Sequence, residues 1–124
     1  MDDEPLVRNV LGSFLRSFKC RVSAAEHGEE ALKVYQKSLS FDPFDAVILD
    51  LTIPGKMGGI ETASKLLKID PGVKMIVSSG YSEDNAVANY KKYGFMATLR
   101  KPYTVDELKN TLQNVLGRKK DRSK

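Results

Sequence analysis

The chain has 124 residues, 41% of them apolar and 29% charged, with a formal net charge of +4. That length gives one domain with a single core, and the composition excludes a disordered chain and a fold that leans on disulfides or structural metals. No apolar run approaches the ~20 residues of a membrane span, and no signal-peptide pattern opens the sequence. The lone Cys20 permits no internal disulfide and offers no metal-ligand pattern, which points to the cytoplasm and to a small buried residue opening a strand.

The positive charge is local. Residues 118–124 hold Arg118, Lys119, Lys120, Arg122 and Lys124 against Asp121, so this tail carries the whole surplus and the preceding body is neutral. Cations at a helix C-terminus favour the macrodipole. The tail is therefore read as a solvated helix end beyond a domain at 1–117, and no nucleic-acid partner is expected.

Apolar residues at helical spacing (Leu6, Val7, Val10, Leu11, Phe14, Leu15, Phe18) predict an amphipathic helix over roughly 5–19. A short strand is expected at 20–25, followed by a loop at Glu26, His27 and Gly28 and a helix near 29–39. His27 reads as a solvated surface histidine with no setting for phosphotransfer. The run from Asp45 to Asp50 is apolar and closed by acid, as in a parallel strand buried on both faces. A Gly-rich loop with Gly55, Gly58 and Gly59 lacks the Lys-Ser/Thr of a nucleotide P-loop and reads as a tight turn. Ile60, Ala63, Leu66 and Leu67 mark a third helix, and Asp70-Pro71-Gly72 a turn. Met75, Ile76 and Val77 make the next strand, ending at Ser78-Ser79-Gly80. A helix near 83–92 and a strand near 96–100 follow. Thr104 caps the last helix with Glu107 as capping-box partner, and Val105, Leu108, Leu112 and Val115 form its inner face. Such alternation implies an α/β fold, a doubly wound parallel sheet with helices on both faces.

In such sheets ligands sit at the carboxyl ends of the strands. Asp50, Ser79 and Lys101 occupy such ends, and Asp2 and Asp3 stand where an earlier strand would end. Carboxylates gathered on one edge repel unless a hard cation joins them. Magnesium is the expected one, because it takes oxygen ligands and keeps waters for a phosphoryl group. Lys101 would supply a point charge to phosphoryl oxygens, and Ser79 a hydrogen bond.

Four segments, Asp2-Asp3-Glu4-Pro5, Asp50-Leu51-Thr52-Ile53-Pro54, Ser79-Gly80-Tyr81 and Lys101-Pro102-Tyr103, resemble the signature segments of response-regulator receiver domains. The likeness runs from residue 2 to about 117, and the loop after Asp50 is most similar to receivers attached to hybrid sensor histidine kinases. It implies a flavodoxin-like (βα)5 fold and a phosphoacceptor module of a two-component phosphorelay rather than a free-standing enzyme. Asp50 would accept phosphate from a phosphohistidine of a histidine kinase or histidine phosphotransfer domain. Asp3 would bind magnesium directly, Asp2 through water, and the backbone carbonyl of Thr52 would complete the protein ligands. Ser79, chosen over Ser78 because it precedes Gly80, would follow the phosphoryl group, and Lys101 would pair with it. Output would come from a population shift around the last two strands and the helix between them. A competing expectation is a receiver-like interaction module that takes no phosphate. An aspartyl-phosphate hydrolase would want a general acid two residues beyond the nucleophile, where Thr52 stands.

Two departures from the family pattern stand out. Thr98 occupies a position that is often aromatic in receivers, with Tyr81, Phe95 and Tyr103 as packing residues nearby. The paired acids also lack the strand that precedes them in receivers, since only Met1 comes before Asp2. In the strand order 2-1-3-4-5 that strand is internal. The expectation is a later start than a complete domain, a strand supplied by another chain, or a rearranged sheet, with lower stability or self-association through the gap.

Overall fold

The computed structural model describes residues 1–80 and 85–117; the expected packing of Tyr81, the start of the fourth helix and the tail at 118–124 lie outside the described residues. Three parallel strands, β1 (Val47–Asp50), β2 (Met75–Ser79) and β3 (Ala97–Arg100), lie side by side in that order. Register sets Asp50 beside Ser78 and Ser79 beside Arg100. The helices are α1 (Pro5–Ser17), α2 (Gly28–Ser38), α3 (Gly59–Ile69), α4 (Asn85–Ala88) and α5 (Val105–Gly117), with a 3-10 turn at Tyr90–Tyr93.

Strand alternation sorts the core into two layers. Leu49, Met75 and Val77 pack with Tyr35 of α2 and Ala63 and Leu66 of α3. Ile76 and Leu99 pack on the opposite face with Leu108, Leu112 and Val115 of α5, and Leu11, Phe14 and Leu15 of α1 close that side. The α/β architecture with helices on both faces is as the sequence implies. Phe95 is a core residue, and Tyr103 and Cys20 are partly buried against the second layer.

Five local expectations are corrected. Residues 20–25 form no strand. A strand is defined by its neighbour, and among the described residues the one bond of that kind here is from Asp2 N–H to the Ala25 carbonyl, at 3.0 Å. The helix expected near 83–92 is, among the described residues, one α-helical turn followed by a 3-10 turn. Gly94, at φ 92°, closes that turn in the left-handed region a glycine accepts freely. Leu6 and Val10 of α1 are exposed at 73% and 45%, because the sheet meets only the Leu11–Phe14–Leu15 side of the helix. Val105 is likewise exposed at the first position of α5, before the helix reaches the sheet. Finally, His27 is no loose surface group. It caps α2, its Nδ1 accepting the Glu30 N–H at 3.3 Å, while Glu30 Oε1 accepts the Glu26 N–H at 2.9 Å.

The α5 capping box forms as expected. Thr104 Oγ1 accepts the Glu107 N–H at 3.1 Å, and Glu107 Oε1 accepts the Thr104 N–H at 3.0 Å. This helix supplies a direct check on the layer assignment by urea denaturation. Leu108→Ala should cost about 2–5 kcal/mol, the range for a buried leucine, while Val105→Ala should stay within about 1 kcal/mol because it empties no cavity. Equal losses at the two positions would contradict the packing described.

Candidate functional site

Asp50 ends β1 and is 8% exposed. Its N–H donates to the Met1 carbonyl at 2.9 Å, and Leu51 continues the ladder by donating to the Ser78 carbonyl at 3.0 Å. The N-terminus of α3 then packs directly on this strand end. A Cβ on Gly59 would lie 2.7 Å from the Asp50 carbonyl oxygen, and one on Gly58 equally close to that of Leu51. These two glycines therefore do more than allow a turn: they let helix backbone touch strand backbone, fixing where the Asp50 side chain emerges.

Asp2 is 4% exposed and held from several sides. Besides the bond to Ala25, its Oδ1 accepts the Glu4 N–H at 3.0 Å and its carbonyl accepts from the Arg8 guanidinium at 2.8 Å. Arg8 is a site residue that periodicity placed only as part of a helix. Its second amino group lies 3.4 Å from Glu26.

Lys101 follows β3 directly, its N–H donating to the Ser79 carbonyl at 2.8 Å, and the Lys101–Pro102 peptide is cis. Its Nζ lies 2.8 Å from Asp2 Oδ2 and 3.4 Å from Asp50 Oδ2. One ammonium thus joins two buried carboxylates that arrive from separate parts of the chain. Ser79 is buried at the end of β2, on the same edge. Ser78 is buried too. Asp3 is exposed, but carboxylate oxygens of Asp2, Asp3 and Glu4 lie within 4.8 Å of one another. Glu4 is thus a further candidate oxygen donor, marked in the sequence only by its place in an unbroken acidic run. Thr52 is exposed, two residues beyond Asp50, and Thr98 is half-buried in β3.

Burial pushes the Asp50 pKa up, the Lys101 charge opposes this, and Asp2 and Asp3 add to the rise; the net position is above the ordinary carboxylate value. Burial acts to lower Lys101, but its hydrogen bond to the Asp2 carboxylate and the Asp50 charge outweigh it, and its pKa stands above the usual lysine value. Three carboxylates, Asp2, Asp3 and Asp50, thus gather on one edge, with Lys101 paired to two of them. The donors are all hard oxygens, so the set fits one divalent hard cation such as magnesium.

The response regulator receiver domain family matches residues 1–113. The chain is 33% identical over 108 residues to a response regulator receiver protein of Anaeromyxobacter, covering 87% of this chain and 43% of the relative. It is 28% identical over 116 residues to sporulation initiation phosphotransferase F of Bacillus subtilis, covering 94% of this chain and 90% of the relative. The response regulator protein TrrA of Thermotoga maritima, solved in complex with Mg(2+)-BeF, superposes with a TM-score of 0.77 at 32% identity over 92% of this chain and 93% of that one. The chain spans less than half of the first relative's length and nearly all of the second's.

The raised pKa of Asp50 makes a prediction with a definite sign. A carboxyl that holds its proton more tightly when folded destabilises the fold once pH rises above the ordinary carboxylate range. Asp50→Asn should therefore raise the Tm at pH 7 in the absence of divalent cations, with Lys101 still paired to Asp2. The advantage should shrink as pH falls through about 4. A melting series over pH checks this, and a Tm lower than wild type at pH 7 would contradict it.

Proposed function

The chain belongs to the response regulator receiver family, and on that footing we propose that Asp50 is its phosphoacceptor in two-component signalling, supplied by a phosphohistidine of a histidine kinase or histidine phosphotransfer domain. The observation that carries the assignment is the Lys101 ammonium held 3.4 Å from the Asp50 carboxylate on the carboxyl edge of the sheet.

In the transfer, an Asp50 carboxylate oxygen bonds to phosphorus as the phosphorus–nitrogen bond to the partner's imidazole breaks. The bonding pair returns to the imidazole nitrogen, and an acyl phosphate results. The protein's part is positioning and charge neutralisation. In this reading Lys101 turns from the carboxylates to the incoming phosphoryl oxygens, and Ser79 donates its hydroxyl to them. Asp3 would hold magnesium directly, Asp2 through water, with Asp50 and the Thr52 carbonyl as the other protein ligands. Magnesium bound there would offset the carboxylate charge and orient the phosphoryl oxygens. The hydrogen bond from Lys101 N–H to the Ser79 carbonyl links the site to β3, where Thr98 stands in place of an aromatic residue. A shift of Ser79 and Lys101 is therefore the route by which phosphorylation reaches the surface around β3 and α4. Among the described residues no helix is long and apolar enough to cross a membrane, and the cytoplasm is where a kinase domain would meet this module.

A module that keeps the fold without taking phosphate would need loosely held acids. Asp2 donates to Ala25 and accepts from Glu4, Arg8 and Lys101, which argues against that reading.

Incubation with acetyl phosphate and magnesium, read by intact mass, should add one phosphoryl group to the wild-type chain. EDTA and Asp50→Asn should each prevent it. Lys101→Ala should slow the addition by on the order of 10²-fold, as for removal of one transition-state donor. An adduct of wild-type yield in Asp50→Asn would overturn the assignment.

A further inference from the structure

Arg8 stands where helix electrostatics do not favour it. It lies in the first turn of α1, which holds no acidic residue and has no side-chain cap, although the macrodipole favours anions at that end. The Arg8 side chain is nonetheless only 18% exposed. Helical side chains lean back towards the N-terminus, and that lean carries the guanidinium to the acid turn. There Nη1 donates to the Asp2 carbonyl at 2.8 Å, and Nη2 lies 3.4 Å from Glu26 Oε1. The Asp2 carbonyl belongs to the peptide that joins Asp2 to Asp3. One bond therefore holds the plane from which both carboxylates project. The rigid fork of an arginine reaches a carbonyl and a carboxylate together, which the point charge of a lysine does not match.

The segment that Arg8 grips is itself anchored. Glu26 N–H donates to Glu30 Oε1 at 2.9 Å. Two residues on, Gly28 N–H donates to the Met57 carbonyl at 3.0 Å, and a Cβ on Gly28 would lie 2.2 Å from Thr62 Oγ1. Residues 25–28 thus connect the acid turn to the loop that carries Thr52. Resting on the magnesium-dependent phosphoacceptor reading above, we propose that Arg8 is a positioning residue for the magnesium set. It touches neither metal nor phosphoryl group, and acts by holding the Asp2–Asp3 peptide against residues 25–28. Charge and geometry give opposite signs here. A cation beside carboxylates repels magnesium, so loss of Arg8 would tighten metal binding if its charge alone mattered. As a strut it orients the groups that take the metal, and its loss weakens binding.

Calorimetric titration with magnesium chloride compares the wild-type chain with Arg8→Met, which keeps side-chain length and loses the fork. The magnesium Kd should rise about tenfold. In the metal-free protein the Glu4 amide, held by Asp2 Oδ1, should exchange several-fold faster. Labelling by acetyl phosphate should need about tenfold more magnesium for half its maximal rate, with the rate at saturating magnesium within about twofold of wild type. Val115→Ala, buried in the last turn of α5, controls for lost stability: its Tm should fall while its magnesium Kd stays that of wild type. Unchanged or tighter magnesium binding in Arg8→Met would overturn the proposal. So would an equal loss of affinity in Val115→Ala, or a wild-type chain that binds no magnesium. A wild-type chain that binds magnesium but takes no phosphoryl group would sink the phosphoacceptor reading alone, and the titration would still decide the role of Arg8.

Discussion

The site depends on one ammonium shared by two buried acids. Taking a carboxylate out of water costs several kcal/mol even after the protein relaxes, and Asp2 and Asp50 are both nearly fully buried. Lys101 offsets that cost by approaching both at once. Burial nevertheless holds the Asp50 pKa above the ordinary carboxylate value. A second cation would complete the compensation, and a transferred phosphoryl group would give Lys101 a stronger partner than either carboxylate. Structure and chemistry meet in that imbalance.

The fold delivers these groups to one edge by backbone contact. Ladder bonds place Asp50 beside Ser78 and hang Lys101 on Ser79. The glycines at the start of α3 remove the Cβ atoms that would hold helix and strand apart. Asp2 is the least conventional case. It lies in no assigned strand, yet hydrogen bonds through Met1 and Ala25 fix it as a strand end would be fixed.

Much of this was legible in the sequence because it is local. The apolar run closed by Asp50, the Thr104–Glu107 capping box and the three buried positions of α5 follow from spacing alone. The four acid, hydroxyl and lysine segments marked the family before any geometry was known. What sequence reasoning missed is non-local or subtle. Residues 20–25 have strand composition but lack a ladder partner, which no local pattern reports. Leu6, Val10 and Val105 have core spacing but lie where the sheet does not reach. His27 is an unusual helix cap, and the Glu30 that follows three residues later was the available signal. Arg8 and Glu4 join the site only through contacts made by the folded chain, although Glu4 stands in a visible acidic run.

The claim that Asp50 carries the phosphoryl group is open to chemical mapping. An acyl phosphate on aspartate is reduced by borohydride to homoserine, which marks the modified residue permanently. After phosphorylation with acetyl phosphate and magnesium, borohydride treatment and peptide mass mapping should find homoserine at position 50 and nowhere else. Homoserine at position 2 or 3, or phosphate retained on His27, would contradict the account.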